Sequence, residues 1–132
     1  MAAFAGFLSG REATKYMKKR NEGSIFFTGA TASVRGSSGF SAFAGAKFAL
    51  RALSQSMARE LGPVGIHVAH FIIDGAIDTA FIKENFPDIY ALKEKDGILQ
   101  PSAIADAYWF VHTQEKNAWT HELDLRPYME KF

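Results

Sequence analysis

Several groups of residues in this 132-residue chain have the types and spacing to do chemistry. Phe43 and Lys47 stand four apart in AFAGAKFALRALSQSMAREL (residues 42–61), which places them one helical turn apart on one face. Lys47 brings an ammonium, and Phe43 an aromatic ring with no proton to give. By themselves the lysine reads as a helix side chain whose stem covers apolar surface, and the phenylalanine as a core aromatic. Thr31 and Ser33 supply hydroxyls in a glycine- and serine-rich stretch, and Gly75 and Thr79 follow an apolar run, where Asp78-Thr79 also suits a helix N-cap. His67 and His70 fall in one strand and point to opposite faces, so they cannot share a metal, and His70 reads as a hydrogen-bonded interior residue. His112 and His121 are isolated in sequence, and no metal site is expected. There is no Gly-x-Ser-x-Gly elbow of a hydrolase, no paired carboxylates and no Gly-x-x-x-x-Gly-Lys-Ser/Thr; Gly36-Ser37-Ser38-Gly39 lacks the spacing of a dinucleotide turn.

The elements that must position these groups follow from period and punctuation. Phe4, Phe7, Leu8, Tyr16 and Met17 predict a helix over residues 3–20, stopped by Asn21 and Gly23. Residues 25–27 form a short apolar strand of the kind buried on both faces. Residues 29–41 are a loop, and Ala46, Leu50, Leu53, Met57 and Leu61 recur at helical spacing over residues 41–61, ended by Gly62-Pro63. A second buried strand spans residues 66–73, a short helix 79–86, a helix opened by Pro101 residues 101–114, and a third strand 119–125. The order α-β-α-β-(α)-α-β, without internal repeat or linker, predicts a single α/β domain over residues 1–132 with a parallel sheet and right-handed crossovers. That is the topology of the second half of a doubly wound Rossmann-type fold.

Composition narrows the class. A chain that is 48% hydrophobic and 14% aromatic can build a packed core. Its net charge is +1, with 15 basic and 14 acidic residues interspersed, and Lys18-Lys19-Arg20 reads as a solvated helix end. Neither nucleic acid nor a membrane surface is therefore expected as a partner. The absence of cysteine excludes disulfides and thiolate metal sites and suits the cytoplasm, the compartment expected. The opening MAAFAGFLSG has no basic lead and no bilayer-length run, so neither a signal peptide nor a transmembrane helix is expected.

Four segments in order, GSIFFTGATAS (residues 23–33), AFAGAKFALRALSQSMAREL, GIHVAHFIIDGAIDT (residues 65–79) and ELDLRP (residues 122–127), resemble the C-terminal half of the short-chain dehydrogenase/reductase family. The resemblance runs from about residue 5 to 132, and its specificity lies in the sum of motifs in the right order. The family carries Tyr-x-x-x-Lys where this chain has Phe43 and Lys47. Hydride transfer between a nicotinamide and a carbonyl leaves charge on the substrate oxygen, which needs a positioned acid or base. In the family the tyrosine serves, while the lysine lowers the phenol pKa and holds the nicotinamide ribose. The resemblance thus implies a ribose contact for Lys47, with no phenol to tune. The family's serine precedes the tyrosine by twelve or thirteen positions, which lands on Thr31 or Ala30. Thr31 could polarise a carbonyl, and Ser33, ten before Phe43, could do so only if the loop rearranges. The family's asparagine falls near Ala3 or before the start. Gly75 and Thr79 keep the spacing of a Pro-Gly-x-x-x-Thr element that meets the nicotinamide amide, with Asp74 in place of the proline, expected to loosen the turn.

The same resemblance implies a partial Rossmann-type sheet whose N-terminal nucleotide-binding half is absent, as in a short homologue, a truncated product or a mis-assigned start. NAD or NADP is the implied cofactor, with weak or no binding by this chain alone. Two functions stay open: an oxidoreductase acting on a small alcohol or carbonyl, impaired as it stands, or a non-catalytic binding or oligomerisation module. Relatives form a four-helix interface through the helix corresponding to residues 41–61, so Ala44, Phe48, Ala52 and Ser56 are expected at an interface. A homo-oligomer or a complementing chain is the implied partner.

Overall fold

The computed structural model describes residues 2–131; Met1 and Phe132, the ends of the expected domain, lie outside the described residues. Helix α1 spans Ala2–Met17, with four alanines in sixteen residues. It stops three residues before the expected end, because Asn21 adopts a left-handed φ of 53° and the Glu22 amide turns back to the Met17 carbonyl. Strand β1 (Gly23–Thr28) leads through a 3-10 turn at Thr31–Ser33 into helix α2 (Ser41–Leu61). Strand β2 (Ile66–Ile73) is buried along its whole length. Beyond it come the short helices α3 (Ala80–Asn85) and α4 (Pro87–Tyr90), helix α5 (Pro101–His112) and strand β3 (Glu122–Leu125).

The three strands are parallel in the order β1-β2-β3, with Gly23 opposite Ile66 and His70 opposite Glu122. The alternation of a strand splits the apolar residues between two faces. Ile25, Phe27, Ile66 and Val68 face α1 and α2 and pack with Leu50, Leu61, Met17 and Met57. Ala69, Phe71 and Ile73 face the other way, toward Val111, Ile104 and Tyr108 of α5, and the Phe71 and Tyr108 rings stack with centroids 3.7 Å apart. Strand β1 is buried on one face only: Ile25 and Phe27 are enclosed, whereas Phe26 is half-buried, since α5 alone covers its side.

Other boundaries moved for local reasons. Strand β3 begins at Glu122 rather than 119, because Trp119 turns aside to stack on His67, centroids 4.5 Å apart. Helix α5 ends at His112, where the Thr113 hydroxyl and amide both return to the Trp109 carbonyl. Ala44, expected at an interface, is buried where α2 leans on the Thr31–Ser33 turn, while Phe48, Ala52 and Ser56 are exposed. Among the described residues no helix is long and apolar enough to cross a membrane.

Candidate active site

The C-terminal ends of β1 and β2 converge on the hydroxyl-bearing loop, the end of a parallel sheet at which α/β folds place ligands. The two hydroxyls expected there part company. Ser33 is fully buried, its oxygen accepting the Ala30 amide at 3.1 Å, so it fastens the turn from inside. Thr31 instead lines a cavity and donates its hydroxyl hydrogen to Asp74 Oδ1 at 2.5 Å. Asp74 is 2% exposed, its amide bonds to the Leu125 carbonyl, and its other oxygen lies 3.3 Å from the Arg126 guanidinium. The expected loosening is therefore corrected: Asp74 ties the ends of β1, β2 and β3 together. Directly after it, Gly75 adopts φ 147°, and a Cβ there would come within 2.8 Å of Pro127 Cδ, so only glycine fits.

Lys47 reaches the same sheet end from α2. Its ammonium donates to the Thr28 carbonyl at 2.9 Å, and burial pushes its pKa down. From the opposite face of the sheet the Tyr108 hydroxyl meets Thr28 Oγ1 at 2.7 Å, while burial raises the phenol's pKa despite that bond. Phe43 is not a core residue, as its apolar ring suggested. It is 48% exposed, lies 5.7 Å from the Lys47 ammonium across its ring face, and forms part of the cavity wall. That cavity, of about 670 Å³, is walled by Phe40, Phe43, Phe81, Phe86 and Ile89 with Thr31 among them. Thr79 caps α3, its oxygen accepting the Ile82 amide at 3.3 Å, which is the capping role open to it from sequence.

Beneath the loop lies a charged group that no local sequence signal announced. Arg51 of α2 grips Glu122 of β3 in a two-pronged pair, at 2.8 and 2.7 Å, and His70 Nδ1 donates to the same carboxylate at 3.0 Å. Burial pushes His70 down, against the pull of Glu122. Burial would raise Glu122, but its bonds to Arg51 and His70 outweigh that and hold the carboxyl below its usual value. The far nitrogen of His70 faces the loop so closely that a Cβ on Gly29 would stand 2.3 Å from it. The two histidines of β2 do take opposite faces, His67 donating to the Thr120 carbonyl at 2.7 Å. Among the described residues no group of three or more His, Asp or Glu is placed to hold a metal. A second cavity, about 760 Å³, opens at the other end of the strands between Met17, His67 and Trp119, away from Lys47 and Thr31.

Parallel strands with helices on both faces define part of a doubly wound α/β protein, with a lysine at the end of β1 and an apolar cavity beside it. The short chain dehydrogenase family profile matches residues 2–89, and the chain belongs to that family. Among solved structures it is 51% identical to a short-chain dehydrogenase from Rhodopseudomonas palustris, with a TM-score of 0.74 over 97% of this chain and 49% of that one. A 7 alpha-hydroxysteroid dehydrogenase solved with NADH and 7-oxo glycochenodeoxycholic acid superimposes with a TM-score of 0.82 at 23% identity, over 97% of this chain and 52% of that one, a likeness of fold. The 3-dehydrosphinganine reductase of Danio rerio is 30% identical over 92 residues, which are 67% of this chain and 28% of that protein. The chain thus spans about a quarter of that curated relative and about half of these solved ones.

Proposed function

We propose that these residues form the substrate-side half of a nicotinamide-linked dehydrogenase or reductase, in which Lys47 holds the nicotinamide ribose and Gly75 and Thr79 meet the nicotinamide amide. The observation that carries this reading is the position of Lys47, at the end of β1 and beside the cavity that Phe43 and Thr31 line. Its ammonium donates one hydrogen to Thr28 and has two more to offer a ribose, and Thr79, accepting from Ile82, still has its own hydrogen to give. A bound nicotinamide would supply the hydride. The chain's part is to orient the cofactor and substrate and to exclude water from the apolar cavity. NAD and NADP are both compatible with these contacts.

Phe43 sets the rate. General acid catalysis contributes roughly 100- to 10,000-fold, and the ring beside Lys47 has no proton to give. Joined to a nucleotide-binding half from a relative, the wild-type chain is expected to reduce ketones slowly, and Phe43→Tyr to raise turnover by a factor in that range. Equal turnover by the two would mean that another group, Thr31 first, manages the proton. The 132-residue chain alone is expected to bind NAD and NADP too weakly for calorimetry at micromolar concentration, since it contains no glycine-rich pyrophosphate turn. A second reading, a non-catalytic binding or association module, draws on the same phenylalanine and on the exposed Phe48 of α2.

A further inference from the structure

The direction of one hydrogen bond restricts what the cavity can hold. Asp74 is sealed from solvent and paired with Arg126, so its carboxylate accepts and has nothing to donate. Thr31 must therefore turn its hydroxyl hydrogen inward, to Asp74 Oδ1, which leaves only lone pairs of Oγ1 for a ligand. The Thr31 carbonyl is turned away as well, accepting the amides of Val34 and Arg35. Around Thr31 the wall is largely aromatic and aliphatic, and the exposed rings of Phe40, Phe81 and Phe86 belong to it. The other polar side chains of the wall are Arg35, which donates to the Lys131 carbonyl at 3.4 Å, and Ser37.

We infer that this cavity selects an apolar ligand presenting a hydrogen-bond donor to Thr31, an aliphatic or alicyclic alcohol in preference to the ketone of the same skeleton. Thr31 is then an acceptor that reads the alcohol rather than a donor that polarises a carbonyl. A ketone oxygen placed against Oγ1 would set two acceptors face to face, where an alcohol would donate a hydrogen bond. The inference rests on assigning this cavity to the substrate, and it makes no use of the cofactor.

The test is binding of 2-octanol and 2-octanone to the full 132-residue chain without nucleotide, read by ligand-observed saturation-transfer NMR with competition between the two. The alcohol is expected to bind at least about fivefold more tightly, the lower end of what one buried hydrogen bond supplies against an unpaired acceptor. Thr31→Val should remove the preference, weakening the alcohol and relieving the clash felt by the ketone, and Thr31→Ser should keep it. Asp74→Asn presents an amide donor to Thr31, which frees the hydroxyl hydrogen for the cavity, and should narrow or reverse the preference. Far-UV circular dichroism shows which variants are folded, and the Thr31 pair decides the matter if Asp74→Asn is not. Equal or tighter binding of the ketone, a preference that survives Thr31→Val, or no saturable binding of either probe would overturn the inference. Because no nucleotide is present, failure of cofactor binding or of turnover in the joined protein leaves this result unaffected.

Discussion

On the sheet face under α1 and α2, Ile25, Phe27, Ile66 and Val68 are sealed beneath Leu50 and Leu61. On the face under α5, Phe71 is buried but Phe26 is not, and Trp109 and Phe110 stand 66% and 61% exposed. The residue types are alike, so hydrophobicity does not separate the faces; the number of helices laid across them does. The sealed face also carries a charged group, Arg51 and Glu122 with His70, in which the carboxylate is matched by three donated hydrogen bonds. The open face adjoins the free edge of β1, which in the order β1-β2-β3 has a strand on one side only. One face holds the fold, and the other leaves open an apolar groove formed by Phe26, Ile104, Tyr108 and Trp109, which we propose as a surface for association.

The contrast breaks most sharply in the sealed core. Leu61→Ala should destabilise by roughly 2–5 kcal/mol, the sum of lost transfer free energy and an unfilled cavity, measured from the urea unfolding midpoint. Next comes Glu122→Gln, which leaves the Arg51 charge without its counterion and weakens the His70 bond. A loss of about 2–3 kcal/mol is expected, and a loss below half of that would mean the network is solvated.

A smaller effect should appear with pH. An imidazole held low by its surroundings takes up a proton more readily once unfolded, so stability contributed by neutral His70 and His67 declines as pH falls below the unfolded value of about 6.5. Glu122, held low as well, adds a further decline below about 4.5 as pH falls toward its folded value. Unfolding midpoints measured from pH 8 to pH 4 should fall throughout, and His70→Gln should flatten part of the first decline. A midpoint that rises on mild acidification would mean that Glu122 holds His70 protonated in the folded state.

The least effect on stability belongs to the open face. Trp109→Gln should change the unfolding free energy by no more than about 0.5 kcal/mol, yet shift light scattering behind a sizing column toward monomer. If the wild-type chain runs as a sharp monomer at micromolar concentration, the open face is not an association surface.

Much of this architecture was legible because it is written in local periods. The alternation through β2 put His67 and His70 on opposite faces, and the helical spacing of Leu50, Leu53, Met57 and Leu61 marked α2. Of the candidate site, the motif announced Lys47, which the fold brings to the end of β1. What escaped was long-range. Asp74 meets Thr31 across 43 positions and Arg51 meets Glu122 across 71, separations at which neither period nor spacing speaks. Phe43 misled because an aromatic ring is as apolar on a cavity wall as in a core. The fully buried His70 among the apolar residues of β2 was the one hint that a polar partner had to lie nearby.

The space between Gly29 and the far nitrogen of His70 has a consequence for how the sequence can drift. A methyl group at position 29 would collide with the ring and with Ser33 Oγ, 2.7 Å away, so the loop would have to lift from the sheet and carry Thr31 with it. Glycine at 29 and histidine at 70 thus form a lock across two strands, in which either position accepts a larger or displaced side chain only after the other has made room. A substitution library that varies position 29 alone should return glycine. One that also varies position 70 should return alanine at 29 together with smaller residues at 70.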